Sequence, residues 1–527
     1  MVATRALAAL AAAAVLALPV QAKTFRWASQ GDFLTADPHA QNEGINNQLL
    51  YHVYERLTSR DEDLRIIPSL ATSWEQPAPT VWRFKLRPGV KFHDGTPFTA
   101  DDVVFSFERA QSATSNFKTF AARTGKPRKV DDLTVEFVTP RPVPIMLEYV
   151  NSVMIMSRAW ARKHGAERPQ DFSRAEDTFS ARNANGTGAF RFVSWEAEVR
   201  TVFRENPDWW GRAAGRRTGN VTEMVYRPIK SDATRMAALV SGEVDFVLDP
   251  PLQDVNRLRS NAAVRILEGP ENRVIFLHLD QERDELKYGN VKGRNPLKDL
   301  RVRQALYAAI DTEAIRTQVM RGNSHPTGSM VTARIAIIPA LEPRVVPYDP
   351  AKARALLAEA GYPSGFETQL LCPNNRYVND ERICTALAAM WAKVGVKVSL
   401  ALLPRAQFFQ KTDLLDFSIH LYGWGGGAVD PGGTLGPVLH SYDGKGWGDF
   451  NSGRTKDAEL DRLIEAADVE MDVAKRARLI EQALARVREQ VYTIPLHRQV
   501  IPWAARSGVS VRHRADNFIE AFRISVP

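Results

Sequence analysis

Hydrophobic and polar positions along this chain change period many times, and the changes mark alternating strands and helices. Trp82, Phe84 and Leu86 alternate with Arg83, Lys85 and Arg87, which is the period-two pattern of a half-buried strand. Leu133, Val135 and Phe137 repeat it, as do Val398, Leu400 and Leu402. Helices announce themselves by their ends. Asp349-Pro350 is an N-cap followed by Pro at the first helical position, and Gly361 stops the helix that follows. Asp299 opens another, with Val302, Ala305, Leu306 and Ala309 on one face. A third is expected over 380–393, closed by Gly395, and two more over 457–490. Two apolar runs, 273–279 and 492–496, read as buried strands that cross between two halves of the molecule. Alternating strands and helices argue for α/β lobes. No repeat with a period of 20–50 residues is present.

The N-terminus carries a different pattern. Arg5 is followed by the apolar stretch from Ala6 to Leu18, then by Pro19 and the small-x-small triplet Val20-Gln21-Ala22. The stretch is shorter than the ~20 residues a membrane-spanning helix needs, and the order of parts is that of a secretory signal peptide, 1–22. Lys23 rather than Cys follows the expected cut, so no lipid-anchor cysteine is available. These features predict an exported, freely diffusing protein, periplasmic in a bacterium.

Composition narrows the function classes. The chain has 527 residues, enough for about three or four domains' worth of core. Apolar residues make up 44 % and charged residues 25 %, which excludes a disordered chain and a polytopic membrane protein. The net charge of +8 is small beside 69 basic and 61 acidic residues and is not gathered into a block, so no nucleic-acid partner is expected. Cys372 and Cys384, the two cysteines, are expected to form a disulfide in an oxidising compartment; two buried thiols are the alternative. No metal site is expected, because no His and no further Cys lies between them.

Catalytic signatures are absent. Gly444-Lys445-Gly446 lacks the spacing and hydroxyl of a phosphate loop, and Gly322-Asn323-Ser324 meets Pro326 where a nucleophile elbow needs its second Gly. Gly423-x-Gly425-x-x-Ala428 runs into Asp430-Pro431 where a dinucleotide-binding helix should begin. Neither an enzyme nor a cofactor is expected.

Several tracts, taken in order, resemble a known family over essentially the whole chain after residue 22. They are Tyr54-Glu55-Arg56-Leu57, Pro68-Ser69-Leu70-Ala71-Thr72-Ser73-Trp74, and the run from Phe84 to Pro97 with its Phe92-His93-Asp94-Gly95-Thr96 core. Ala100-Asp101-Asp102-Val103, Gly186-Thr187-Gly188 and Asn206-Pro207-Asp208-Trp209-Trp210 follow. Val302-Arg303-Gln304-Ala305-Leu306, Glu359-Ala360-Gly361-Tyr362-Pro363 and Gly423-Trp424 complete the set. Together they resemble the family 5 extracellular solute-binding proteins, the oligopeptide-, dipeptide- and nickel-binding components of ABC importers. The tracts themselves are expected to be structural, with Asp101 and Asp102 at a helix start and Trp209 and Trp210 in packing.

The resemblance implies a two-lobed α/β periplasmic binding fold of the large peptide-binder type, with solute enclosed between lobes joined by the crossing strands. Lobe I is expected at 23–270 plus 498–527, and lobe II at 271–497. It also implies partners: a peptide or other small solute and the permease subunits of the inner membrane, with the receptor itself a monomer. Two loops are where it places ligand contacts. In the first, Arg376 followed by Tyr377 is similar to the dipeptide binders' carboxylate-gripping pair, a role that suits a guanidinium. In the second, Tyr422 and Trp424 flank the cleft. Peptide binders carry an Asp three residues after the Trp to hold the α-ammonium; here Gly427 stands there. Either Asp430 takes that part, or the ligand is not a free-amine peptide. A non-peptide solute (an opine, an oligosaccharide, a metal or haem chelate) and a secreted hydrolase on the same fold are the alternatives.

Overall fold

The computed structural model describes residues 22–332, 339–425 and 430–527. Eleven strands join in one mixed sheet whose middle is the antiparallel pair Val264–Leu279 and Thr493–Arg506. On one side of this pair lie Ile419–Gly425, Glu367–Pro373 and Lys397–Leu403; on the other lie Phe246–Val247, Thr24–Ser29, Glu223–Pro228, Arg200–Glu205 and Phe190–Glu196; the eleventh, Ser324–Pro326, pairs with Thr493–Arg506. The first flank builds parallel pairs onto Glu367–Pro373, the second a parallel pair between Thr24–Ser29 and Glu223–Pro228.

The crossing strands read as apolar runs because both their faces are covered. Along the first, Ile275, Leu277 and Leu279 enter one core while Val274 and Phe276 enter the other. The strand paired with it divides likewise, sending Ile419 and Leu421 one way and Trp424 the other. Period-two alternation thus splits a single sheet's side chains between two hydrophobic bodies. Both crossing strands are longer than the runs 273–279 and 492–496. Gly269-Pro270 looks like a strand end in sequence, but here the ladder passes it and shifts register between Pro270 and Val274. That irregularity puts Glu271, Asn272 and Arg273 at the junction between the two flanks.

A separate antiparallel sheet of four strands, in the order Ala71–Ala78, Val81–Leu86, Thr134–Val138 and Lys126–Asp131, packs on the helix Ala100–Ala110. Asp102 accepts the Thr99 N–H at 2.9 Å, the reciprocal half of a capping box. Trp209 and Trp210 both donate their indole N–H groups to Glu55, at 3.2 and 2.8 Å, so they pack and tie rather than face solvent.

The capped helices stand where their signals put them. Pro350–Glu359 begins at Asp349, whose side chain accepts from the Lys352 N–H, and Leu300–Ala308 begins at Asp299. Asp380–Ala392 follows the strand Glu367–Pro373, and Cys384 in its second turn is joined to Cys372 by a disulfide. No helix among the described residues is long and apolar enough to cross a membrane.

Candidate functional site

A cleft of about 1430 Å³, counting its mouth, opens where the two flanks of the sheet face each other. Its wall on the N-terminal side is the helix Gly44–Tyr51, which presents Gly44, Ile45, Asn47, Gln48 and Tyr51 to it. Gly44, Asn47, Gln48 and Tyr51 follow the i, i+3, i+4, i+7 spacing of one helical face, but a polar one. Polar side chains on a buried face need partners, and a cleft supplies room for a ligand to be that partner.

The helix is capped by Glu43, whose carboxylate accepts the Asn46 N–H at 3.0 Å. Glu43 is fully buried and lies between two guanidinium groups from the far side of the crossing strands. Arg376 Nε is 2.8 Å from its Oε1, and Arg405 Nη1 donates to its Oε2 at 2.6 Å. Burial pushes the Glu43 carboxyl up, but the attraction of Arg405 and Arg376 outweighs it and holds the group below the ordinary carboxylate range. One negative charge is therefore shared by two positive ones. The surplus faces the cleft at a helix N-terminus, which adds its own positive end. A Cβ on Gly44 would sit 3.1 Å from Arg376 Nη2, close enough that the guanidinium would have to shift.

The Arg376-Tyr377 loop is held from beneath by Asp380, which accepts the N–H groups of Arg376 and Tyr377 at 2.8 and 2.9 Å. Burial raises the Asp380 carboxyl to about 7 against those hydrogen bonds. The Tyr377 hydroxyl accepts the Gly423 N–H at 2.9 Å, and its ring lies over Gly423, where a Cβ would come within 2.6 Å of Cε1. The two loops singled out in the sequence are thus fastened to each other. Arg273, from the crossing irregularity, donates to the Gly423 carbonyl at 3.2 Å and pairs with Glu271.

Tyr422 and Trp424 both line the cleft. Trp424 is sandwiched by Phe120, parallel at 6.5 Å, and Phe450 at 4.7 Å, and its indole N–H donates to the Gly433 carbonyl at 2.9 Å. It is a packed wall spanning both sides. Gly427 lies outside the described residues. Asp430 reaches the cleft, but Arg476 grips it through two hydrogen bonds of 2.9 and 2.6 Å, and the Gly432 N–H takes a third place. Its charge is already met. The same holds for Glu148, paired with Arg60, and Asp516, paired with Arg514 at 2.7 Å. Among the described residues, no carboxylate lining the cleft stands unpaired, and no group of three or more His, Cys, Asp or Glu could hold a metal ion.

Sequence reasoning missed Glu43, Arg405 and the cleft face of the Gly44–Tyr51 helix. It also placed Tyr54-Glu55-Arg56-Leu57 among structural tracts, whereas Arg56 lines the cleft. A signal existed for the helix: Glu43-Gly44-Ile45-Asn46-Asn47-Gln48 puts amides where an ordinary amphipathic helix would bury aliphatics.

A two-lobed body, two crossing strands in a large central sheet and a cleft between its flanks define a fold of the periplasmic binding-protein type. Comparison with known proteins gives the family. Residues 65–446 match the bacterial extracellular solute-binding proteins, family 5, and the chain belongs to it. The chain is 30 % identical over 474 residues to heme-binding protein A of Haemophilus influenzae, covering 85 % of this chain and 82 % of that one. It is 27 % identical over 491 residues to a glutathione-binding protein of Pectobacterium atrosepticum, covering 90 % and 88 %. In fold it is similar to a dipeptide-binding protein of Pseudoalteromonas sp. SM9913 solved with Met-Leu, with a TM-score of 0.83 at 22 % identity over 96 % of this chain and all of that one. Family 5 proteins are the binding components of ABC importers for peptides and related ligands, not enzymes, and the hydrolase alternative falls with that membership.

Proposed function

We propose that this chain is the periplasmic receptor of an ABC importer for an anionic, peptide-like solute, exported with cleavage after Ala22 and delivering its load to inner-membrane permease subunits. Solute closes lobe I (23–270 plus 498–527) onto lobe II (271–497). The observation that carries the ligand's charge is Glu43 shared by Arg376 and Arg405, which leaves positive charge directed at the cleft. A carboxylate received there by Arg376 and the helix N-terminus completes the pairing. Among the described residues the cleft carboxylates are all matched, with Asp430 held by Arg476, so an α-ammonium finds no free carboxylate there, and burying it unpaired would cost about 3–5 kcal/mol. The favoured solute is therefore a peptide with a blocked or distant amine, or an acid of similar size.

Native mass spectrometry of the protein purified from periplasm, followed by denatured analysis of what it carried, tests this. Acidic or amine-modified peptides are expected. A ladder of ordinary free-amine peptides, retained through dialysis, would refute the charge argument and leave the family standing. A single non-peptide acid, such as an opine, is the second reading, and the match of Arg476 to Asp430 favours it equally.

A further inference from the structure

The cleft has a second cationic end that nothing above uses. The Gly44–Tyr51 helix runs its length, with Glu43 and Arg376 at one end and Tyr51 at the other. Beside Tyr51 lies Arg56, its guanidinium 5.7 Å from the ring centroid. Its Nε is buried and makes no hydrogen bond, and among the described residues no carboxylate pairs with it. The acidic groups nearby are otherwise engaged. Asp516 and Glu520 hold Arg514, Glu148 holds Arg60, and the adjacent Glu55 carboxylate turns away to accept from Thr187, Trp209 and Trp210. Burial lowers the Arg56 guanidinium to about 10, still protonated at neutral pH. A half-buried guanidinium whose Nε is shut off from water without a hydrogen bond gains from a partner, and the cleft is the open direction from which one can arrive.

From this we infer that Arg56 is a second anion-binding residue, and that the solute carries two acidic groups, one received at Arg376 and one at Arg56. This rests on the anionic-solute reading and sharpens it. From Gly44 to Tyr51 the helix rises seven steps of 1.5 Å, about 10 Å, which sets the scale of the separation between the two ends. At about 3.3–3.6 Å per extended residue, that is the reach of a three-residue backbone. The ligand class is a dicarboxylic acid of tripeptide length. Asn47 lies between the ends; its Nδ2 donates to Asn42 while its Oδ1 is buried without a hydrogen bond, an acceptor for an N–H of the ligand's middle.

The test uses the mature protein freed of bound solute by unfolding and refolding, and two synthetic probes measured by calorimetry. N-succinyl-Ala-Ala has carboxylates about 10 Å apart when extended. Succinamyl-Ala-Ala is the same molecule with the distal acid made an amide. The wild type is expected to favour the diacid about 10- to 100-fold, the range of a charge-assisted hydrogen bond. Arg56→Gln should bring that ratio to within about twofold by weakening the diacid alone, and Arg56→Lys, which keeps the charge and guards against a folding defect, should keep most of it. A wild type that binds both probes equally overturns the inference and leaves the anionic reading intact. So does an unchanged ratio in Arg56→Gln. A wild type that binds neither probe overturns both.

Discussion

Arg405→Gln isolates what the shared carboxylate does. Arg405 does not line the cleft; it is 2 % exposed and reaches Glu43 from the start of the helix Arg405–Asp413. Removing its charge leaves Glu43 matched one-to-one by Arg376, so the surplus at the ligand's end disappears. Loss of a charge-assisted hydrogen bond costs about 1.5–3 kcal/mol. Against that, Nε and Nη2 of Arg405 are buried without partners, and relieving them returns about 1 kcal/mol. On the proposed lobe closure Glu43 and Arg405 meet only in the closed state, so the net of about 0.5–2 kcal/mol bears on that state and not on the open one. Solute affinity should fall about 2- to 30-fold, with the thermal stability of the unliganded protein little changed. Calorimetry with the co-purified solute measures the first and scanning calorimetry the second. Small-angle scattering should also show more solute needed to reach the compact radius. If Arg405→Gln binds within twofold of wild type and closes at the same solute concentration, neither the interlobe role nor the surplus-charge argument survives.

Removing the Cys372–Cys384 bond, by Ala at both positions or by reductant, should lower stability by about 3 kcal/mol, as expected for a short closed loop, and denaturant titration reads it directly. Because that bond anchors the Asp380–Ala392 helix behind the Arg376 loop, solute affinity should fall as well. Trp424→Ala opens a cavity between Phe120 and Phe450 and should cost about 3–5 kcal/mol in the liganded state, seen as a lowered melting temperature with solute present. His497 is buried on the second crossing strand with no partner for either ring nitrogen among the described residues, and burial lowers it to about 3. A histidine depressed in the folded state contributes stability that is present above its unfolded value near 6.5 and is lost as pH falls below it. Relative to His497→Leu, the wild type should therefore lose about 1 kcal/mol per pH unit between pH 6 and 4, and parallel stability curves for the two would show that His497 is not held neutral.

What could be read from sequence followed the range of the forces involved. Asp349-Pro350 and Asp299 start helices through contacts two or three residues away, so their effects are local and legible. The crossing strands were legible as apolar runs but not in extent, because only the pairing with the opposite strand carries the ladder past Gly269-Pro270. The site was half visible. Arg376 and Tyr377 have a recognisable spacing, yet what decides their chemistry is Glu43, 333 positions earlier, and no local pattern links the two. Asp430 illustrates the same limit in the other direction. As sequence it is a candidate anchor for an ammonium; in the fold, Arg476 from a helix 46 positions on occupies both its oxygens. A charged residue's availability is a property of its neighbours, and those are set by the tertiary fold. Arg56 is the converse case: it sits inside a tract that looks like scaffold, and its function shows only when every acidic group around it is found to be already taken. Substrate charge in this cleft is therefore written in which ion pairs are complete: the surplus lies with Arg376, which shares Glu43 with Arg405, and with Arg56, which no carboxylate among the described residues pairs.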